Sequence, residues 1–151
     1  MSWLANFKGI DWKKFWTALI AVFILANILE WVMHGWLLTN ASDGGLLSFL
    51  RKPAVQSFTL WMWMGYLIFS WAFVWIYANG WENKPWSGQD FRYGFMIWLL
   101  WSVPVAFMYY TGENIDWSVF FKKVLLELGV ILLLAYTAAW LYKPSVRTKT
   151  A

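Results

Sequence analysis

The chain contains no cysteine and one histidine, and only 13% of its 151 residues are charged. Without cysteine there can be no disulfide framework, thiol redox site, thiolate metal centre or covalently attached haem. A lone histidine excludes a multi-histidine metal site or a bis-histidine haem within one protomer. No glycine-rich phosphate loop follows a strand, and neither Gly-x-Ser-x-Gly nor His-Glu-x-x-His occurs, so the common signatures of soluble enzymes are missing. No linker is long enough to divide the chain, and no internal repeat is visible, which makes residues 1–151 one domain.

What the chain has in excess is apolar surface. Hydrophobic residues make up 61% of it and aromatic residues 23%, with 15 Trp, 12 Phe and 7 Tyr, and the mean hydropathy is +0.49. Soluble domains hold about 45–50% apolar residues, and a single core of this size could not hide the surplus. The expected class is an integral membrane protein. A net charge of +4 would suggest nucleic acid in a soluble chain. Here the basic residues flank apolar segments, where they meet lipid phosphates and set topology. The expected partner is the lipid bilayer, and nucleic acid is not expected.

A membrane-spanning helix needs about 20 mainly apolar residues. Four stretches qualify: about 15–38, 57–79, 93–111 and 124–142. They are too long for strands and lack the alternation of an outer-membrane barrel. The expected fold is therefore all-α: a polytopic four-transmembrane-helix bundle. Asn40 to Gly45 and the Arg51-Lys52-Pro53 run read as turns, with a short apolar segment at 46–50 that could lie in the interface. Lys8, Lys13, Lys14, Lys84, Arg92, Lys143, Arg147 and Lys149 fall on the side of both termini. Arg51, Lys52, Lys122 and Lys123 fall on the other. This asymmetry predicts N-in and C-in. The first apolar run has no small-residue cleavage site after it, and so reads as a retained span.

The first span carries Asn27, Glu30 and His34, spaced i, i+3, i+7 and so on one helical face. Ionisable groups inside a bilayer cost several kcal/mol and usually turn toward protein or a wet cavity. With the span ending at Leu38, Glu30 lies about 12 Å and His34 about 6 Å below that end. The last span starts on the same side with Lys123 and Glu127 at i, i+4, which puts Glu127 about 6 Å along from Lys123. Tyr109 and Tyr110, at the end of the third span, are further hydrogen-bonding candidates, with Gln56 and Ser57 on the second. Three readings of this cluster are open. It could be a polar network that fixes helix packing, a proton or cation site, or a ligand set in which His34, Glu30 and Glu127 hold a metal or cofactor.

Other polar positions carry less. Ser70, Ser102 and Thr137 are expected to bond to their own helix backbones. Glu82, Lys84, Asp90 and Arg92 read as a solvated mixed-charge loop. Pro104 predicts a kink, and Ala135-x-x-x-Ala139 permits close helix approach. Trp12, Trp16, Trp36, Trp81, Trp86, Trp117 and Trp140 sit where an interfacial belt would lie. Trp61, Trp63, Trp71, Trp75, Trp98 and Trp101 fall within spans. They suit helix or lipid packing, or an aromatic groove for a flat or isoprenoid ligand such as a quinone or pigment.

Around Glu30-Trp31-Val32-Met33-His34-Gly35-Trp36-Leu37-Leu38 the chain resembles a family of small four-helix bacterial inner-membrane proteins of no assigned function. The features shared are a His-Gly-x-Leu-Leu pattern closing the first span, a basic residue in the following loop, and a glycine and a proline in the third span. Here these are His34, Gly35, Leu37 and Leu38, then Arg51, then Gly94 and Pro104. The abundance of Trp and the Lys52-Pro53 pair depart from that pattern. The resemblance implies the fold and a bacterial inner-membrane location, and transfers no activity. The functional expectation is a non-enzymatic structural or accessory subunit of a homo-oligomer or larger membrane complex, with no cofactor required by the sequence. The alternatives are a small proton- or cation-linked transporter, or a pigment-, quinone- or metal-binding protein.

Overall fold

A computed structural model of the chain describes residues 10–33, 56–80, 86–112 and 117–142. All four described segments are helical: α1 Trp12–Val32, α2 Gln56–Gly80, α3 Trp86–Gly112 and α4 Trp117–Tyr142. Each is long and apolar enough to cross a membrane. At 1.5 Å per residue they reach about 31 to 40 Å, against a hydrocarbon core of about 30 Å. The expected interfacial segment at 46–50, the turns around it and His34 lie outside the described residues.

Local chemistry sets the helix bounds. Asp11 caps α1: its side chain accepts from the Lys14 backbone N–H at 3.3 Å, and its carbonyl accepts from Phe15 N at 2.9 Å. Two helices begin seven residues before the apolar spans expected from the sequence, α3 at Trp86 and α4 at Trp117. In α4 the Lys122-Lys123 pair looked like a boundary. The residues before it, Trp117 to Phe121, are apolar or small, and Lys123 pairs with Glu127 one turn on, so the helix runs through. In α3 the helix takes in Gly88 and Asp90 and continues through Pro104. A proline removes one backbone bond, which membrane helices tolerate where neighbouring groups compensate.

The packing is uneven. α4 lies along both α1 and α3, and α1 lies along α2, whereas α2 and α3 hardly approach each other by backbone. The core joins Phe15, Ala18, Val22 and Ala26 of α1 to Phe73 and Val74 of α2 and to Leu134, Ala135 and Ala138 of α4. The α1 set follows one helical stripe. The α4 set mixes alanines with larger residues, and Ala135, Ala138 and Ala139 are the small members. Both Ala135 and Ala139 are buried, as their spacing allowed. α3 and α4 approach closely at Gly94. A Cβ built on Gly94 would stand 2.9 Å from Ala135 Cβ and 3.0 Å from Leu132 Cδ2. Glycine is required there because only a bare backbone fits against α4.

The outer surface is apolar, with Trp31, Trp61, Leu100 and Met108 all more than 70% exposed. A water-soluble protein could not carry that surface as a contiguous patch. Facing lipid tails, it costs nothing. Trp98, by contrast, turns inward and donates its indole N–H to the Val124 carbonyl of α4 at 3.0 Å.

Gly94→Ala is expected to destabilise the bundle by about 1–3 kcal/mol through overpacking. Gly65→Ala, where an added Cβ meets nothing within 4 Å, is expected to be neutral or slightly stabilising. Denaturation of both variants in mixed micelles checks the contrast, and equal stability would show that the α3–α4 contact is looser than described.

Candidate functional site

Because α2 and α3 stand apart, a cleft of about 640 Å³ remains between them, floored by α1 and α4. α1 contributes Ala26 and Glu30, and α4 contributes Glu127, Val130, Ile131 and Leu134. α2 lines it with Tyr66, Phe69 and Phe73, and α3 with Ile97, Trp101 and Ser102. Exposed Met62, Ile68 and Leu100 also belong to its wall, so it is an open groove and not a sealed void. Ligand pockets of small molecules occupy about 300–1,000 Å³ and are mostly apolar with a few polar groups. This cleft has that size and character.

Glu30 and Glu127, which come from the first and last helices, meet at this one cleft. With α4 starting at Trp117, Glu127 lies about 15 Å into its helix, deeper than the position reckoned from Lys123. The two carboxylates share a cavity nevertheless. Glu127 Oε1 lies 3.6 Å from Lys123 Nζ, and both side chains are mostly buried. That is the i, i+4 pair read from the sequence.

The remaining sequence-predicted residues divide. Asn27 donates its side-chain N–H to Phe23 O at 2.8 Å, within its own helix, and is not among the cleft-lining residues. The Tyr110 ring packs against Trp117 at 5.0 Å and Phe120 at 5.3 Å, in a separate aromatic cluster joining α3 to α4. His34 and the side chains of Tyr109, Gln56 and Ser57 lie outside the described residues. Among the described residues no group of three His, Cys, Asp or Glu is placed to hold a metal ion. The set His34, Glu30 and Glu127 extends beyond them.

Residues outside the expected polar cluster also take part. Tyr66 and Ser102 line the cleft, yet no spacing rule links them to Glu30 or Glu127. Asp90 departs from the solvated loop expected for it: it is helical and only 3% exposed. Its Oδ1 accepts from the Tyr77 hydroxyl at 2.8 Å, and its Oδ2 is buried with no hydrogen-bond partner among the described residues. The helix starting at Trp86 draws Asp90 into the α2–α3 junction. Only five residues separate α2 from α3, so residues near the end of α2 and the start of α3 are held close, and Tyr77 and Asp90 meet there. Tyr93 reinforces the junction by donating its hydroxyl to the Phe73 carbonyl, with its ring 5.0 Å from that of Phe73. Phe73 in turn lines the cleft. Arg92 stays exposed and donates to Gly88 O at 3.2 Å. Thr137 bonds to Leu133 O as expected, whereas buried Ser70 Oγ has no hydrogen-bond partner among the described residues.

No protein-family model, curated protein or solved structure matches the chain. The functional argument therefore rests on the cleft and its residues.

Tyr77→Phe removes the donor to a buried carboxyl and is expected to cost about 1–3 kcal/mol. Asp90→Leu in that background is expected to recover part of the loss, because no buried polar oxygen then remains. A double-mutant cycle in micelles reads the coupling, and simple additivity would show that the two groups do not interact.

Proposed function

We propose that the chain is a non-enzymatic, multi-pass protein of a bacterial inner membrane, N-in and C-in, that holds a largely apolar small molecule in the α2–α3 cleft. One observation carries this reading: a ligand-sized, aromatic-walled groove lies open at the side of the bundle and is lined by two carboxylates. The groove faces the zone that lipid tails would fill, so an apolar molecule could enter from the bilayer without crossing water. Tyr66, Phe69, Phe73 and Trp101 supply flat apolar walls, while Glu30 and Glu127 supply the polar anchor that orients a head group. The location and orientation rest on the distribution of Lys and Arg and on the family resemblance. The same carboxylates are the groups a proton- or cation-linked transporter would use, and binding is the step that both activities share.

A second reading is supported by the sparse burial of α2 and α3 within the bundle. In it the chain is a subunit of a homo-oligomer or larger complex, and a neighbouring helix covers the groove.

Native purification in mild detergent followed by mass spectrometry separates the two. A bound small molecule that is lost in Gly65→Trp supports the first reading. That substitution projects into the groove from a position with open space around it, so the fold is expected to survive. Stoichiometric protein association, with no small molecule and no effect of occlusion, would favour the second.

A further inference from the structure

We propose that the ligand of this cleft is an amphiphile lying along the helices, with a small uncharged hydrogen-bonding head inside the hydrocarbon zone and its apolar tail toward the α2–α3 junction. The inference rests on the reading that the cleft holds an apolar molecule, and adds the polarity and direction of that molecule. Four residues lining the cleft carry a hydroxyl or carboxyl: Glu30, Tyr66, Ser102 and Glu127, one from each helix. Tyr66 stands ten residues after the start of α2, Glu127 ten after the start of α4, and Ser102 ten before the end of α3. Each is therefore about 15 Å from that helix end. Phe69 meets Trp101 and Tyr77 meets Asp90, so α2 and α3 are antiparallel, and Tyr110 against Trp117 joins the end of α3 to the start of α4. The three levels coincide. Glu30 acts electrostatically on Tyr66, which brings it to the same band.

The rest of the described lining is mainly apolar and lopsided about this band. Toward the α2–α3 junction come Ala26 on α1, Phe73 and Ile76 on α2, Ile97 on α3 and Leu134 on α4. From Tyr66 to Ile76 that wall runs about 15 Å, and the rings of Phe73, Tyr77 and Tyr93 fill the seam where it ends. In the other direction the described lining on α2 reaches only Met62, about 6 Å away. An extended hydrocarbon chain advances about 1.25 Å per C–C bond of about 1.5 Å, so about twelve carbons fill the long arm. Depth sets the head. Helices of about 38 to 40 Å overhang a core of about 30 Å by only about 5 Å at each end, which leaves the band well inside the hydrocarbon. A charged head is costly at that depth, whereas a hydroxyl or carbonyl costs little once hydrogen-bonded. Such a head leaves the Lys123–Glu127 pair in place, because a carboxylate oxygen accepts more than one hydrogen bond.

The test uses the purified full chain in nanodiscs and two photoreactive dodecanol probes, one carrying a diazirine beside the hydroxyl and one at the far end of the chain. Labelled positions are mapped by mass spectrometry. Excess unlabelled dodecanol serves as competitor, and the occluded Gly65→Trp protein gives the baseline for partition into lipid. The expected result is competable labelling above baseline, at Tyr66 and Ser102 by the head probe and at Phe73 and Ile76 by the tail probe. Dodecyl phosphate and dodecyltrimethylammonium are each expected to displace the probes only at roughly tenfold higher concentration than dodecanol, or above. Head and tail labels that are interchanged or evenly mixed within the cleft would overturn the direction and leave the apolar cleft intact. Displacement by either charged competitor as readily as by dodecanol would overturn the uncharged head, again leaving the cleft. No competable labelling of the cleft by either probe would overturn both. The two probes are compared on the unmodified protein, so a Gly65→Trp protein that fails to fold does not remove the test.

Discussion

The bundle depends on how closely α4 can approach its neighbours. Lipid tails are as apolar as leucine side chains, so helices in a bilayer gain little from hiding hydrophobic surface against one another. Association instead relies on dispersion contacts between closely approaching backbones and on a few hydrogen bonds. Gly94 against Ala135 and Leu132, and Ala138 and Ala139 beside them in the buried stripe of α4, supply that approach. The Trp98 indole bonded to the Val124 carbonyl fixes the register of α3 on the same helix. With α1 packed on the other side, α4 becomes the spine of the molecule.

The cleft follows from the same constraint. Among the described residues no comparable small-residue seam joins α2 to α3, and long aromatic side chains meet between them. Phe73, Tyr77 and Tyr93 hold rings about 5 Å apart at one end of the seam, with Tyr77 bonded to Asp90 and Tyr93 to the Phe73 carbonyl. These contacts tie the helices without letting the backbones touch. The space left beyond them is the groove. Glu30 and Glu127 reach it because α1 and α4, the helices that carry them, form its floor.

The sequence made part of the site legible. Glu30 and Glu127 stood out because charges are rare within apolar runs, and the Lys123–Glu127 pair followed from its i, i+4 spacing. Asn27 shared a helical face with Glu30, but a face spans a wide arc, and the Asn27 amide turned to its own backbone. Tyr66 looked like any other spanning residue and Ser102 like a serine bonded to its own helix backbone, since their place at the cleft depends on which helices separate. Asp90 was misread because Pro85 and Gly88 suggested a loop, and a helix beginning at Trp86 moved the aspartate into the junction. The pairing of Tyr77 with Asp90 depends on that earlier helix start, which shortens the connection between α2 and α3 to five residues.

Composition and periodicity by themselves determined the class of the protein. A chain with this much apolar surface, divided into four helix-length runs, can satisfy its backbone in lipid only as helices or a closed barrel, and the absence of alternation leaves helices. Which helices touch was decided only in three dimensions, because the spans are apolar around most of their circumference and carry no hydrophobic stripe that names a partner. Glycine and alanine set that choice through backbone distance, a quantity that sequence spacing does not encode across helices. The tertiary structure thereby left α2 and α3 apart, and brought the carboxylates of the first and last helices to the floor of one groove.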